Sequence, residues 1–165
     1  MIVVRPERPE DAEAIRQVVD AAFQQSAESI LVDRLREDGD LVLSLVAEED
    51  GAIVGHVAFS RLYVEDDDRR VPAVALAPLS VERSHQGAGL GARLVADAHA
   101  ILRGRGETLS VVLGDPDYYS RLGYRRDLAE GFDSAYQSEQ LQAIALAGDP
   151  PRRGLLRYAL AFTEL

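Results

Sequence analysis

The sequence predicts an α/β (α+β) chain built on a mixed central β-sheet, and three stretches carry that prediction. Residues 74–113 read as strand, glycine-rich turn, amphipathic helix and strand, the order that makes a parallel pair joined by a crossover. Two runs rich in β-branched and aromatic residues, 41–49 and 52–64, flank Asp50-Gly51, a strong turn signal for an antiparallel hairpin. Residues 9–38 show two stretches with apolar residues at helical spacing.

In chain order, residues 2–4 read as a short strand and Pro6 and Pro9 flank a turn. The first helix opens at Pro9-Glu10-Asp11, where a proline and acids suit the first turn. Ile15, Val18, Val19, Ala22 and Phe23 mark its expected buried face. Ser26 is placed to cap a second helix carrying Ile30, Leu31 and Leu35 and ending at Gly39. His56 lies inside the second hairpin strand, where a lone histidine is more often a packed core residue than a base. Residues 65–70 form a charged, solvated hairpin loop. Pro78 interrupts the strand over 74–81, and a residue without an N–H belongs where ladder bonding stops. The helix over 89–102 presents Leu90, Leu94, Val95, Ala98 and Ile101, and Gly104 and Gly106 end it. His99 on this helix reads as structural or exposed. A strand over 108–113 follows, then a short helix at Tyr119, and the tail holds two strand candidates, 141–146 and 155–162.

Length and composition bound the function. A chain of 165 residues fits one domain, 1–165, and buries about 70% of its unfolded surface without staples. The absence of cysteine excludes a disulfide framework, a thiol nucleophile and a thiolate metal site, and the three histidines are scattered without ligand spacing, so no metal is expected. No apolar run reaches the roughly 20 residues that span a bilayer, and residues 1–6 are too short and too soon charged for a secretory signal, so a cytoplasmic location is expected. The net charge of −10 argues against nucleic acid or an anionic membrane as partner and leans toward a cationic or neutral substrate.

The chemistry centres on Gln86-Gly87-Ala88-Gly89-Leu90-Gly91-Ala92, which leads from a strand into a helix. The first amides of a helix lack intrahelical partners and lie at the positive end of its dipole, so this turn suits an anion. A Walker loop is excluded, because it needs a lysine and all 18 basic residues are arginine. Gly87-x-Gly89-x-x-Ala92 satisfies the dinucleotide pattern, but Glu107 precedes the next strand instead of ending it, and too little chain follows for the remaining βαβ units. Gln86, Gly89 and Gly91 match the Gln-x-x-Gly-x-Gly/Ala pyrophosphate loop of acetyl-CoA-dependent acetyltransferases. Two further segments fit, residues 114–124 with an aromatic-Tyr-x-x-x-Gly-aromatic pattern, and residues 50–57. On these three segments the chain resembles the GNAT superfamily of N-acetyltransferases, nearest its small bacterial single-domain branch.

The resemblance implies a mixed sheet of about six to seven strands flanked by about four helices, with a splayed pair of strands between which the pantetheine of acetyl-CoA inserts. It places cofactor contacts at Leu79, Ser80 and Val81, at Gln86, Gly87, Ala88, Gly89, Leu90, Gly91 and Ala92, and at Tyr118. It makes Tyr119 the general acid for the departing CoA thiolate; the alternative is that Tyr119, like Tyr118 and Tyr124, only packs on the cofactor. Tyrosine suits the acid role, since its pKa of about 10 lies near that of a thiol. Glu28 falls in the expected wall of the acceptor pocket and either touches substrate or is a favoured acid of a helix N-terminus. Many relatives carry a glutamate on the cofactor strand, whereas residues 73–77 hold no carboxylate. Glu28 or His56 acting through water, or an amine that arrives neutral, are the alternatives. The expected reaction is acetyl transfer in a ternary complex to an amine of a small molecule, protein or peptide, by a monomer or homodimer. A non-catalytic acyl-CoA sensor and transfer of a longer acyl group remain the competing readings.

Overall fold

A computed structural model describes residues 1–164. It contains eight strands and four α-helices: β1 (Ile2–Pro6), α1 (Ala12–Phe23), α2 (Ala27–Glu37), β2 (Leu41–Glu49), β3 (Ala52–Asp66), β4 (Arg69–Val81), α3 (Leu90–Gly104), β5 (Leu109–Leu113), α4 (Pro116–Arg121), β6 (Phe132–Asp133), β7 (Leu141–Ala145) and β8 (Gly154–Arg157). The strands are hydrogen-bonded in the order β1-β2-β3-β4-β5-β7, with β8 on β3 and β6 on β8. The β4–β5 pair is parallel and joined through α3; the β1–β2, β2–β3 and β5–β7 pairs are antiparallel. The sheet is therefore mixed, as the crossover stretch and the hairpin stretch together require. The chain divides into two compact units, and β3, β4 and α3 contribute residues to both.

The first unit comprises Met1–Ser60, Ala77–Ala98 and the residues from Leu160 on. Its core joins Ile15, Val18 and Val19 of α1 to Val32 of α2 and to Val46 and Ala58 of the hairpin. The start of α1 is tied down by Asp11, whose carboxylate accepts from the Arg8 amide at 2.6 Å and from Arg5 at 2.7 Å and 3.1 Å. Hydrogen bonding to Arg5 is the main reason the Asp11 carboxyl sits below its usual range. The expected apolar face of α1 is one turn too long: Ala22 and Phe23 are exposed, because the helix ends at Gln24 in a left-handed conformation and its last turn lies beyond the core. Ile30 of α2 is likewise exposed, while Leu31, Val32 and Leu35 are buried. Ser26 precedes α2 without a side-chain cap; its carbonyl instead accepts from Ile30 N and Ser29 Oγ.

The second unit comprises Arg61–Leu76 and His99–Ala159. Leu62, Val64, Ala73, Ala75, Leu109 and Val111 meet across its strands in one core. Arg61 clamps Glu107 through two bonds of 2.9 Å and 2.8 Å and also reaches the Ala73 carbonyl. Here the tail departs from expectation. The strand expected over 155–162 stops at Arg157, and residues Leu160–Glu164 form a 3-10 turn. The register gives the reason: β8 pairs with β3 at Tyr63–Glu65, and from Ser60 downward β3 is already paired with β2. The two-residue strand β6, in parallel register with β8, has no periodicity of its own to reveal it. Among the described residues no helix is long and apolar enough to cross a membrane.

Candidate active site

In the first unit the glycine turn joins the end of β4 to α3, as its sequence predicts. Residues 86–89 form the turn and α3 begins at Leu90. Gly87 and Gly89 have φ of 80° and 85°, a left-handed backbone that glycine adopts without strain. Among the described residues nothing lies within 4 Å of where a Cβ would stand on either, so the turn is open on that side. The first α-helical closure is Arg93 N to Gly89 O at 3.0 Å, so the amides before it point out of the helix start. Gln86 folds back to donate to the Val81 carbonyl at 2.9 Å, pinning the turn to the strand end. His85 braces it from the other side, with Nε2 3.0 Å from Glu49 of β2. Gly91 and Leu90 are buried, Ala92 is half-buried, and Gly87 and Ala88 are exposed.

Leu79 and Val81 are half-buried and Ser80 is buried. The Ser80 hydroxyl finds no hydrogen-bond partner among the described residues. In the second unit, the pairing of β4 with β5 covers Val74–Ser110, Ala75–Val111 and Leu76–Val112. That ladder ends one residue before Ala77-Pro78, where the missing N–H makes an end of pairing reasonable.

The other candidates of the first unit are Glu28 and His56. Glu28 sits in the first turn of α2, and both its carboxylate oxygens accept from Gln25 Nε2, at 2.9 Å and 3.0 Å. His56 is fully buried, its Nε2 2.8 Å from Ser44 Oγ. Burial pushes its pKa down to about 4, so the ring is neutral at pH 7. A base that weak takes a proton from an ammonium poorly.

The second unit carries the tyrosines. Asp115 caps α4 by accepting from Asp117 N at 3.1 Å, and Pro116 occupies the first helical position. This short helix presents Tyr118 and Tyr119 with their rings edge-on, centroids 5.1 Å apart. Tyr119 is partly buried, and its hydroxyl makes no hydrogen bond among the described residues. Burial pushes its pKa up to about 12, with the neighbouring Tyr118 and Asp115 adding to the shift, so its proton is retained at any working pH. Tyr124 is 1% exposed. It is a core residue, bonded to Ser110 and His99, and His99 too is buried. Those two partners, and Gly114 against the Tyr119 ring, carry no sequence signal of their own. Among the described residues no group of three or more metal-ligating side chains occurs.

Comparison with known proteins bears on the whole chain. A family model described as acetyltransferase (GNAT) domain matches residues 3–126. The Escherichia coli (strain K12) protein described as uncharacterized N-acetyltransferase YhbS is 39% identical over 155 residues, 89% of this chain and 92% of that one. The crystal structure of Escherichia coli YhbS in complex with CoA matches at a TM-score of 0.90 and 35% identity, covering 98% of this chain and 92% of the other. A GNAT family acetyltransferase from Brucella melitensis, in complex with acetyl-CoA, matches at a TM-score of 0.83 and 39% identity over 98% of each chain. The strand–turn–helix unit and the tyrosine motif thus stand in a sequence related over most of its length to such enzymes, and the chain belongs to the GNAT family of N-acetyltransferases.

Proposed function

We propose that the protein transfers an acetyl group from acetyl-CoA to a primary amine of a small molecule, protein or peptide. The observation that carries this reading is the open turn over 86–92 at the start of α3, in a chain whose relatives were crystallised with CoA and acetyl-CoA. The pyrophosphate sits on the amides between Gln86 and Ala92, and the pantetheine runs along the backbone of Leu79, Ser80 and Val81. Leu90, Gly91 and Ala92 supply the first helical amides, Gly87, Ala88 and Gly89 leave room for the phosphates, and Tyr118 packs on the cofactor.

The amine nitrogen attacks the thioester carbonyl, forming the C–N bond. The tetrahedral intermediate collapses with cleavage of the C–S bond, and the sulfur leaves with the electron pair. Tyr119 donates its hydroxyl proton to that sulfur and regains one from the proton that the amine nitrogen releases. Burial raises the Tyr119 pKa to about 12, so its hydroxyl keeps its proton until the thiolate forms and is a weaker acid than free tyrosine. With no carboxylate in residues 73–77 and His56 neutral, the amine enters unprotonated. Glu28 is assigned the lesser role of contacting the acceptor. The rate should therefore rise with pH, its midpoint following the pKa of the amine supplied.

The test is a panel of primary amines with acetyl-CoA, read as free thiol. Acceptor-dependent thiol release above hydrolysis is expected. Tight acetyl-CoA binding with no such release from any amine would instead identify a non-catalytic acyl-CoA sensor, the reading that the missing carboxylate favours.

The turn itself is tested by Gly89→Val. A β-branched residue at φ 85° is strained by about 1–3 kcal/mol, and its side chain fills the space left for phosphate. The acetyl-CoA dissociation constant, measured by calorimetry, should rise at least about 10-fold. Unchanged affinity in a folded variant would move the phosphate site elsewhere.

A further inference from the structure

The buried end of the tyrosine cluster is polar, and the reaction as proposed makes no use of it. The Tyr124 hydroxyl lies 2.8 Å from Ser110 Oγ on β5 and 3.1 Å from His99 Nε2 on α3. Ser110 is fully buried and His99 is 3% exposed. Burying three polar side chains is costly unless their bonds are made, so such a network fixes one arrangement where an apolar core would tolerate several. A hydroxyl offers one donor and two acceptor sites, so Tyr124 can donate to one partner and accept from the other with every group neutral.

Tyr124 is in turn attached to Tyr119 twice. Its backbone N–H donates to the Tyr119 carbonyl at 3.1 Å, and the two rings meet edge-on with centroids 5.8 Å apart at 84°. Gly114 backs the same ring: a Cβ there would stand 2.7 Å from Tyr119 Cε2, so the chain at the end of β5 approaches the ring as only glycine permits. The Tyr119 ring is thus bounded by Gly114, Tyr118 and Tyr124, and of these Tyr124 alone is itself anchored through its side chain to both β5 and α3.

We propose that Ser110 and His99, acting through the Tyr124 hydroxyl, are positioning residues that hold the Tyr119 ring in the orientation from which it protonates the leaving thiolate. This rests on the reading of Tyr119 as the acid. Small displacements of a reacting group are expensive, which makes a fixed ring worth a buried polar network.

The test is a double-mutant cycle between Tyr124→Phe and Tyr119→Phe, with acetyl-CoA and the best amine of the panel. Tyr124→Phe in the otherwise native protein should lower kcat on the order of 10-fold, with acetyl-CoA affinity changed less than about 2-fold. In the Tyr119→Phe background the same change should leave kcat unaltered, because the group being positioned is gone. A merely structural role would lower the rate equally in both backgrounds, and that result overturns the proposal. A second readout is 19F NMR of protein labelled with 3-fluorotyrosine, the Tyr119 resonance being the one lost in Tyr119→Phe. One narrow line is expected, broadened or split by Tyr124→Phe; an unmoved line overturns the proposal. Should Tyr119→Phe alone keep the full rate, the acid reading falls, and the resonance by itself decides whether the ring is held. Ser110→Ala, which removes one of the two bonds without touching a tyrosine, should give the same pattern at smaller amplitude and serves if Tyr124→Phe fails to fold.

Discussion

Tyr119→Phe is expected to lose at least about 10²-fold in kcat while binding acetyl-CoA nearly as the native protein does. In the proposed mechanism the hydroxyl acts on a sulfur that carries charge only as the C–S bond breaks, so its loss would be felt in the transition state and hardly in the ground state. General acid catalysis is typically worth about 10²–10⁴-fold, or roughly 3–5 kcal/mol. Phenylalanine preserves the ring, and with it the edge contacts to Tyr118 and Tyr124. Tyr118→Phe is the matched control and should cost little. Because burial holds the Tyr119 pKa at about 12, the rate should show no descending limb between about pH 7 and 10. Single-turnover measurements separate the chemical step from product release. Equal small losses in the two variants would remove Tyr119 from the mechanism, and a loss confined to acetyl-CoA affinity would make it a binding residue.

The second large effect is on stability. His56 and His99 are both buried, and burial lowers each pKa to about 4. In the unfolded chain a histidine titrates near 6.5. As pH falls below about 6.5 the unfolded chain therefore takes up protons that the folded protein refuses until about pH 4. The stability is fully present above the unfolded value and is lost across that window. A shift of about 2.5 units corresponds to roughly 3 kcal/mol for each ring, which is a large part of the stability of a domain this size. Urea titrations between pH 7.5 and 4.5 should show stability falling most steeply near pH 5.5, where these two rings couple unfolding to uptake of about two protons. His56→Gln should lower that number by one. A midpoint that does not move between pH 6.5 and 5 would show that the rings are not held neutral.

These two predictions draw on different kinds of information. The role of Tyr119 came from the family resemblance. The short helix at Tyr119 was legible in the sequence because its signals are local, with Asp115, Pro116 and the aromatic pair within five residues. The same holds for the hairpin, where Asp50-Gly51 connects the paired residues Glu49 and Ala52, and for the glycine turn, whose conformation is written in residues 86–91. Helical spacing likewise identified Ile15, Val18, Val19, Leu31, Leu35, Leu90, Leu94 and Val95 as buried. Periodicity states which face of a helix is apolar, but not how far the partner surface extends, and so Ala22 and Phe23 were expected inside and lie outside. The length of β8 depends on where β2 already occupies β3, a competition that no residue of 155–162 encodes.

By itself, then, the sequence determined the element types, the parallel crossover, the glycine turn and the tyrosine motif, because turn chemistry and hydrophobic period act between residues a few positions apart. Tertiary structure decided the rest. The bonds that tie Tyr124 to His99 and Ser110 span 25 and 14 positions. The neutral state of the two histidines arises from desolvation by elements distant in sequence. Such groups meet only when the sheet is assembled, and it is burial at that point that turns a serine, a histidine and a tyrosine into partners.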